Sequence, residues 1–272
     1  MPDARLDDVT VEGRLQERRT DDRRRAGQPV RTGRVVAVLA VLAAVALVTG
    51  TVLEHARLHW VEDSSTVVRV LVGQGARLLY VDAEANGWAW LSAGLLGLLA
   101  LVLATSAVAR RGARLRWLPT AVLAGSALLL SVDEGAMLHE TFNEIGVRLT
   151  DALGGYNAWL VPGVLVVLVA GVLLLRVARG IHPWLRRRLL LAGALFLAGA
   201  LGMEVAGAAF ALSSDAPNPW ETGTYHALVA VEEGLEAAGA LVALRAVLAT
   251  LDVRVGTSGL SIASRSPGPA RA

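Results

Sequence analysis

Residues 35–53 read VVAVLAVLAAVALVTGTVL, an unbroken run without a charged side chain. A bilayer core about 30 Å thick takes about 20 helical residues to cross. The run reaches that length with its flanks, and residues 85–109 are equally free of charge. Further apolar blocks cover 118–132, 158–175, 189–210 and 225–248, the last two interrupted by carboxylates. The pattern predicts an all-α, polytopic membrane protein whose transmembrane domain fills residues 34–250. Its six helices are expected near 35–55, 87–109, 118–142, 158–178, 188–211 and 223–249. The first block is longer than a signal-peptide core and no small-x-small cleavage site follows it, so it reads as an uncleaved helix.

Composition agrees. Of 272 residues, 54% are hydrophobic and 18% charged, against about 25% charged in an average soluble domain. The absence of cysteine excludes disulfide scaffolds, thiolate metal sites and cysteine nucleophiles. All 26 basic residues are arginine, which excludes Schiff-base chemistry and a Walker-type phosphate loop.

Arginine placement predicts sidedness. With both termini inside, the inner segments collect 21 arginines, including Arg110, Arg111, Arg114, Arg116 and Arg186 to Arg188. The outer segments hold four: Arg57, Arg69, Arg77 and Arg148. That is a positive-inside bias, pointing to a bacterial inner membrane with N- and C-termini cytoplasmic. Tryptophans fall near the expected helix ends, Trp60, Trp88, Trp90, Trp159 and Trp220 outside and Trp117 and Trp184 inside, as interfacial anchors do. Residues 1–33 mix eight arginines with seven acids without a core-forming pattern, and 251–272 is rich in Ser, Gly, Pro and Ala. Both read as disordered cytoplasmic tails.

The chemistry lies in carboxylates placed where lipid should be. An ionisable group inside a membrane helix costs several kcal/mol unless paired or hydrated, so it marks a functional site. The third block ends Ser131-Val-Asp133-Glu134, followed by His139-Glu140 and Asn143-Glu144; the fifth carries Glu204; the sixth carries His226, Glu232, Glu233 and Glu236. On a continuous helix at about 100° per residue, Asp133, Glu140 and Glu144 eclipse while Glu134 points away. Counted at about 1.5 Å per residue, Asp133, Glu204 and Glu233 share one depth, roughly 12–15 Å below the outer surface. These residues predict one acidic pocket opening outward. Near its mouth lie His55 and His59, spaced i, i+4, and Asp82 and Glu84.

Carboxylates and imidazoles are the ligands of hard and borderline divalent cations. The expected metal ligands are Asp133, His139, Glu140, Glu204, His226, Glu233 and Glu236. Glu134, Glu232, His55, His59, Asp82 and Glu84 are accessory. A bound divalent metal would serve hydrolase or redox chemistry on an outer-leaflet or other extracytoplasmic small molecule. The alternative is a proton- or cation-coupled transporter or sensor, and a purely structural membrane bundle comes third. The expected partner is the lipid bilayer; nothing points to nucleic acid.

The chain resembles a group of uncharacterised bacterial multipass membrane proteins. The likeness is carried by Tyr80-Val-Asp82-Ala-Glu84-Ala-Asn86, by Leu130-Ser131-Val-Asp133-Glu134 with His139-Glu140, by Gly202-Met-Glu204 and by Glu232-Glu233-Gly-Leu-Glu236. It implies a membrane architecture and no particular reaction.

Overall fold

A computed structural model describes residues 27–150, 160–257 and 259–265, with backbone alone at 140, 143, 144, 149, 150, 160 and 161. The described chain is mostly helical. Helix α1 spans Thr32–His59, α2 Thr66–Leu79, α3 Gly87–Gly112, α4 Leu118–Ala136, α5 Thr141–Thr150 and α6 Leu160–Ala178. Helix α7, Pro183–Leu197, runs through a π-helical turn, Ala198–Met203, into α8, Glu204–Ser213. Helix α9, Gly223–Leu248, is followed by strands β2, Leu251–Gly256, and β3, Gly259–Ser264; a short β1, Gln28–Pro29, precedes α1.

Three helical stretches are long and apolar enough to cross a membrane: Thr32–His59, Gly87–Gly112 and Pro183–Ser213. Their apolar residues do not all turn inward. Val38, Val41, Leu42, Val45 and Val48 of α1 are exposed, as are Leu165, Val166, Leu168 and Val169 of α6. Of the six expected crossings, the remaining three are a shorter apolar helix and two helices, α4 and α9, that carry carboxylates.

The element ends follow local chemistry. Asn86 caps α3 by accepting the Ala89 N–H at 3.0 Å, and Thr222 caps α9 by accepting the Tyr225 N–H at 3.2 Å. His182 caps α7, with Pro183 at the first helical position, so the helix begins five residues before the expected 188. The expected helix 118–142 is interrupted. It stops at Ala136, Met137 adopts a left-handed conformation (φ 54°, ψ 42°), and a 3-10 turn, Leu138–Glu140, leads into α5. The cause is Asp133, whose Oδ1 accepts the His139 N–H at 2.8 Å and so draws the backbone away from the helical pattern. Asp133, Glu140 and Glu144 therefore do not lie on one continuous helical face.

Helix α9 occupies the centre, packed on α1, α3 and α7 with its π turn. We call the end where α1 finishes and α9 begins the upper end. Two apolar clusters stack along the bundle. The upper one gathers Ala43, Trp88, Leu95, Leu96, Val229, Ala237 and Ala240. The lower one gathers Val36, Leu99, Leu103, Ala124, Leu185, Leu244 and Val247. Helix α2, absent from the sequence reading, turns back along α1: a Cβ at Gly50 would run into the Leu79 carbonyl. Its single buried residue is Ala76, and Val67, Val70 and Leu71 are exposed. A 14-residue amphipathic helix is too short to register as a membrane crossing.

The expected tails are partly structured. Gln28 and Pro29 pair antiparallel with Val255 and Arg254, and β2 pairs with β3 from Leu251–Ser264 to Gly256–Gly259. The segment Val-Arg-Val at 253–255 alternates as a strand does, a signal hidden by the Ser, Gly and Pro around it. Residues 1–26 and 266–272 lie outside the described residues.

The contact of α9 with α7 depends on glycine. A Cβ at Gly239 would stand 2.7 Å from the Ala192 carbonyl oxygen and 2.9 Å from the Phe196 nitrogen. Gly239→Ala should therefore destabilise the protein by about 1–3 kcal/mol through overpacking. Gly193→Ala, where no atom lies within 4 Å of the added carbon, should be neutral or stabilising. Thermal unfolding in detergent compares the two.

Candidate functional site

The acids of α9 face three helices at once. The Trp88 indole on α3, only 2% exposed, donates from Nε1 to Glu233 Oε2 at 2.7 Å. Glu232 hydrogen-bonds Glu204, the first residue of α8. Glu236 lies against the π turn, where a Cβ on Gly199 would come within 2.8 Å of its Cγ and 2.6 Å of the Glu232 carbonyl oxygen. Glu134 of α4 lies near Ser92 of α3 and within electrostatic reach of Glu233 and Glu236. Glu134, Glu204, Glu232, Glu233 and Glu236, drawn from α4, α8 and α9, thus lie within electrostatic reach of one another.

The π turn has a part in this. A π-helical turn bonds i to i+5 and so takes up an extra residue, resetting the face that follows. Glu204 comes directly after it and faces Glu232. Gly199 makes the close approach possible.

Asp133 and His139 stand apart from that group. His139 Nδ1 is 3.4 Å from Asp133 Oδ2, and its Nε2 is 3.8 Å from Glu84 Oε1. With a carboxylate at each nitrogen, this imidazole is engaged as a bridge. The Glu140 side chain lies outside the described residues. The two residues of the Asp-Glu pair have therefore exchanged places relative to the sequence reading: Glu134 joins the central carboxyls and Asp133 holds the turn.

At the upper end, Asp82 receives two phenols, Tyr80 at 3.2 Å and Tyr225 at 3.3 Å. Burial and the adjacent Asp82 charge push the Tyr80 hydroxyl well above its ordinary range, so it stays a donor. Tyr80 also stacks edge-on against His226, ring centroids 5.6 Å apart, and its carbonyl accepts from Asn86 Nδ2 at 2.6 Å. His226 lies 6.4 Å from His55, which lies 4.6 Å from His59. Glu54, though buried, is neutralised by a bidentate pair with Arg57, at 2.6 and 2.7 Å.

Of the seven expected metal ligands, Glu204, Glu233 and Glu236 share the central group, Asp133 and His139 pair elsewhere, and His226 belongs to the upper rings. Among the described residues, no three His, Asp or Glu side chains already surround a space for one metal ion. Sequence reasoning missed Trp88, Ser92, Tyr80 and Tyr225. Trp88 was legible only as an interfacial anchor; its burial makes it a donor to a carboxylate instead.

A family model described as a domain of unknown function (DUF8692) matches residues 35–251, and the chain belongs to that family. No curated protein and no solved structure matches it. The matched segment runs from the second turn of α1 through α9 and ends as β2 begins.

Trp88→Phe removes the indole donor to Glu233 while keeping most of the buried ring. It should cost about 1–3 kcal/mol, the penalty for leaving a buried polar group unsatisfied. Trp90→Phe, at an exposed position on the same turn, should stay within about 0.5 kcal/mol. Denaturant unfolding of the two variants makes the comparison.

Proposed function

We propose that this member of the family is a multipass cell-membrane protein that crosses the bilayer six times, with both termini inside. In this reading the central carboxyl group binds and releases protons from the outer side, in the manner of a proton- or cation-coupled transporter or sensor. The observation that carries it is the convergence of Glu134, Glu204, Glu232, Glu233 and Glu236 on stretches without arginine. The chain has none between Arg77 and Arg110, Arg116 and Arg148, or Arg188 and Arg245. Several ionised carboxylates cannot share an apolar bundle unless protons or a cation balance them. Glu204 and Glu232 are in contact, and two carboxyls so placed are best accommodated when a proton lies between them.

Access from above fits the same reading. Asp82 meets Tyr225 at the head of α9, His226 and the acids succeed one another along that helix, and His226 to Glu236 spans about 15 Å at 1.5 Å per residue. Below Glu236 the core is apolar, lined by Leu99, Leu103, Leu185, Leu244 and Val247. Polar groups above an apolar floor suit a sensor, or a transporter that takes its protons from the outer side.

The second reading balances the same carboxyls with a divalent metal, for hydrolase or redox chemistry on an outer-leaflet substrate. Carboxylates from several helices are suitable hard ligands, and Glu204, Glu233 and Glu236 remain its ligands. Elemental analysis separates the readings. A stoichiometric metal lost in Glu204→Gln and Glu236→Gln would replace the proton reading with this one.

In proteoliposomes carrying an internal pH dye, the parent should take up protons down an imposed gradient, and Glu232→Gln should slow uptake about tenfold or more. If neither shows uptake, infrared difference spectra at acid and alkaline pH should still report a titrating carboxyl that Glu232→Gln removes. A spectrum without one would overturn the reading. The topology has its own check in this cysteine-free chain: Trp60→Cys and Trp184→Cys should label from opposite sides of the membrane. Labelling of both from one side would overturn the six-span arrangement.

A further inference from the structure

At the lower end of the bundle α3 passes to α4 through Arg110-Arg111-Gly112-Ala113-Arg114-Leu115-Arg116-Trp117. Residues 85–132 contain no carboxylate, and among the described residues none of these four arginines forms an ion pair. Arg110 ties the turn by donating from Nε to the Arg116 carbonyl at 2.9 Å. The Leu115 N–H donates to the Arg110 carbonyl at 2.8 Å and the Arg114 N–H to the Arg111 carbonyl at 3.0 Å. That pattern closes a helix and ordinarily sets glycine in the left-handed position. Here the residue is Arg114, with φ 55°. An L side chain is disfavoured there, and such strain collects where a segment meets a ligand.

Beside the turn the two helices leave a groove of about 230 Å³. Higher up, Ser131 Oγ donates to the Ala93 carbonyl at 2.8 Å and holds α4 against α3. Lower down the facing side chains are small, Ala104 and Ala107 on α3 and Ala121 and Ala124 on α4. The groove ends between Arg111 and Trp117, with the guanidinium carbon 5.2 Å from the ring centroid. From Ala104 to Arg111 it follows α3 for about 10 Å at 1.5 Å per residue. Leu101 and Leu128, both exposed, continue the apolar surface above it.

We propose that this groove binds one anionic phospholipid, an acyl chain along the alanines and the phosphate at Arg111. Arg114 and Arg116 add positive charge beside it. A guanidinium presents a planar fork of donors that matches phosphate oxygens, and Trp117 stands where amphipathic rings collect, at headgroup level. Basic pockets between transmembrane helices on the cytoplasmic side take anionic headgroups, and this is the inner end in the topology proposed above. A zwitterionic headgroup would bring an ammonium up to four unpaired arginines, so the anionic class is favoured. The inference rests on the membrane reading of the chain and is independent of the proton reading.

The full-length protein in neutral detergent is titrated with dioleoyl phosphatidylglycerol and with dioleoyl phosphatidylcholine, and native mass spectrometry counts the lipid bound. The parent should hold one phosphatidylglycerol about fivefold or more tightly than phosphatidylcholine. Arg111→Gln and Arg114→Gly should each weaken phosphatidylglycerol binding about fivefold. Arg114→Gly should also unfold at an unchanged or higher temperature, because glycine suits the left-handed turn, so its loss of binding is not a folding defect. Ala104→Phe, at an exposed position in the groove, should abolish the preference. Arg187→Gln removes an equal charge at the same end outside the groove and should change binding by less than about twofold. Equal losses in Arg187→Gln and Arg111→Gln would overturn the site in favour of diffuse attraction. A dimer in place of the lipid adduct would overturn it by giving the groove to a second copy of the chain. Flotation with vesicles keeps the two readings apart. A parent that floats with phosphatidylcholine vesicles but shows no preference for phosphatidylglycerol overturns the lipid site alone, and one that joins neither vesicle overturns the membrane reading as well.

Discussion

A glutamate on an apolar helix is tolerable only where other polar groups meet it, and α9 carries three of them. That constraint organises the bundle. Trp88 turns inward to Glu233, the π turn directs Glu204 to Glu232, and Glu134 lies near Ser92. Glycine at 199 and 239 then brings the α7–π–α8 stretch close enough for these contacts to form. Each feature is a local departure from the simplest apolar helix. Each is explained by one need, the accommodation of carboxyls that have no arginine in their own stretches of chain.

The long apolar helices were legible in the sequence because α1 and α3 lack charge over their cores, and composition alone marks them. For Glu204 and the α9 acids the sequence offered only their clustering along the chain. Their partners were not legible. Trp88 has the same residue type and helix-end position as an interfacial anchor, and only packing distinguishes the two. Nor could helical phase foresee the break after Asp133, because the side chain that ends the helix captures an amide six residues on. Phase also failed across 198–203, where a π turn replaces the 3.6-residue repeat. The strands at 251–264 were masked by a composition typical of unfolded segments.

The bundle is divided along its length. Its upper half mixes rings, phenols and carboxyls with apolar packing, whereas its lower half is filled by Leu99, Leu103, Leu185, Leu244 and Val247 around small alanines. Filled packing of this kind gives rigidity and excludes water. The division leaves the polar groups on one side of an apolar floor, and Arg245 is the only charged residue that α9 carries below its acids.

The small sheet bears on parity. Strand β1 leads into the first helix and β2 follows the last, and they are hydrogen-bonded to each other. The chain therefore enters and leaves the bundle at the same end, which an odd number of traverses cannot achieve. Three helices are apolar enough to cross a membrane unaided. If all three cross, an odd number of the remaining helices must cross with them. At least one helix less suited to lipid by length or charge is thereby required to traverse, and the arithmetic of the two chain ends, more than hydropathy, obliges it.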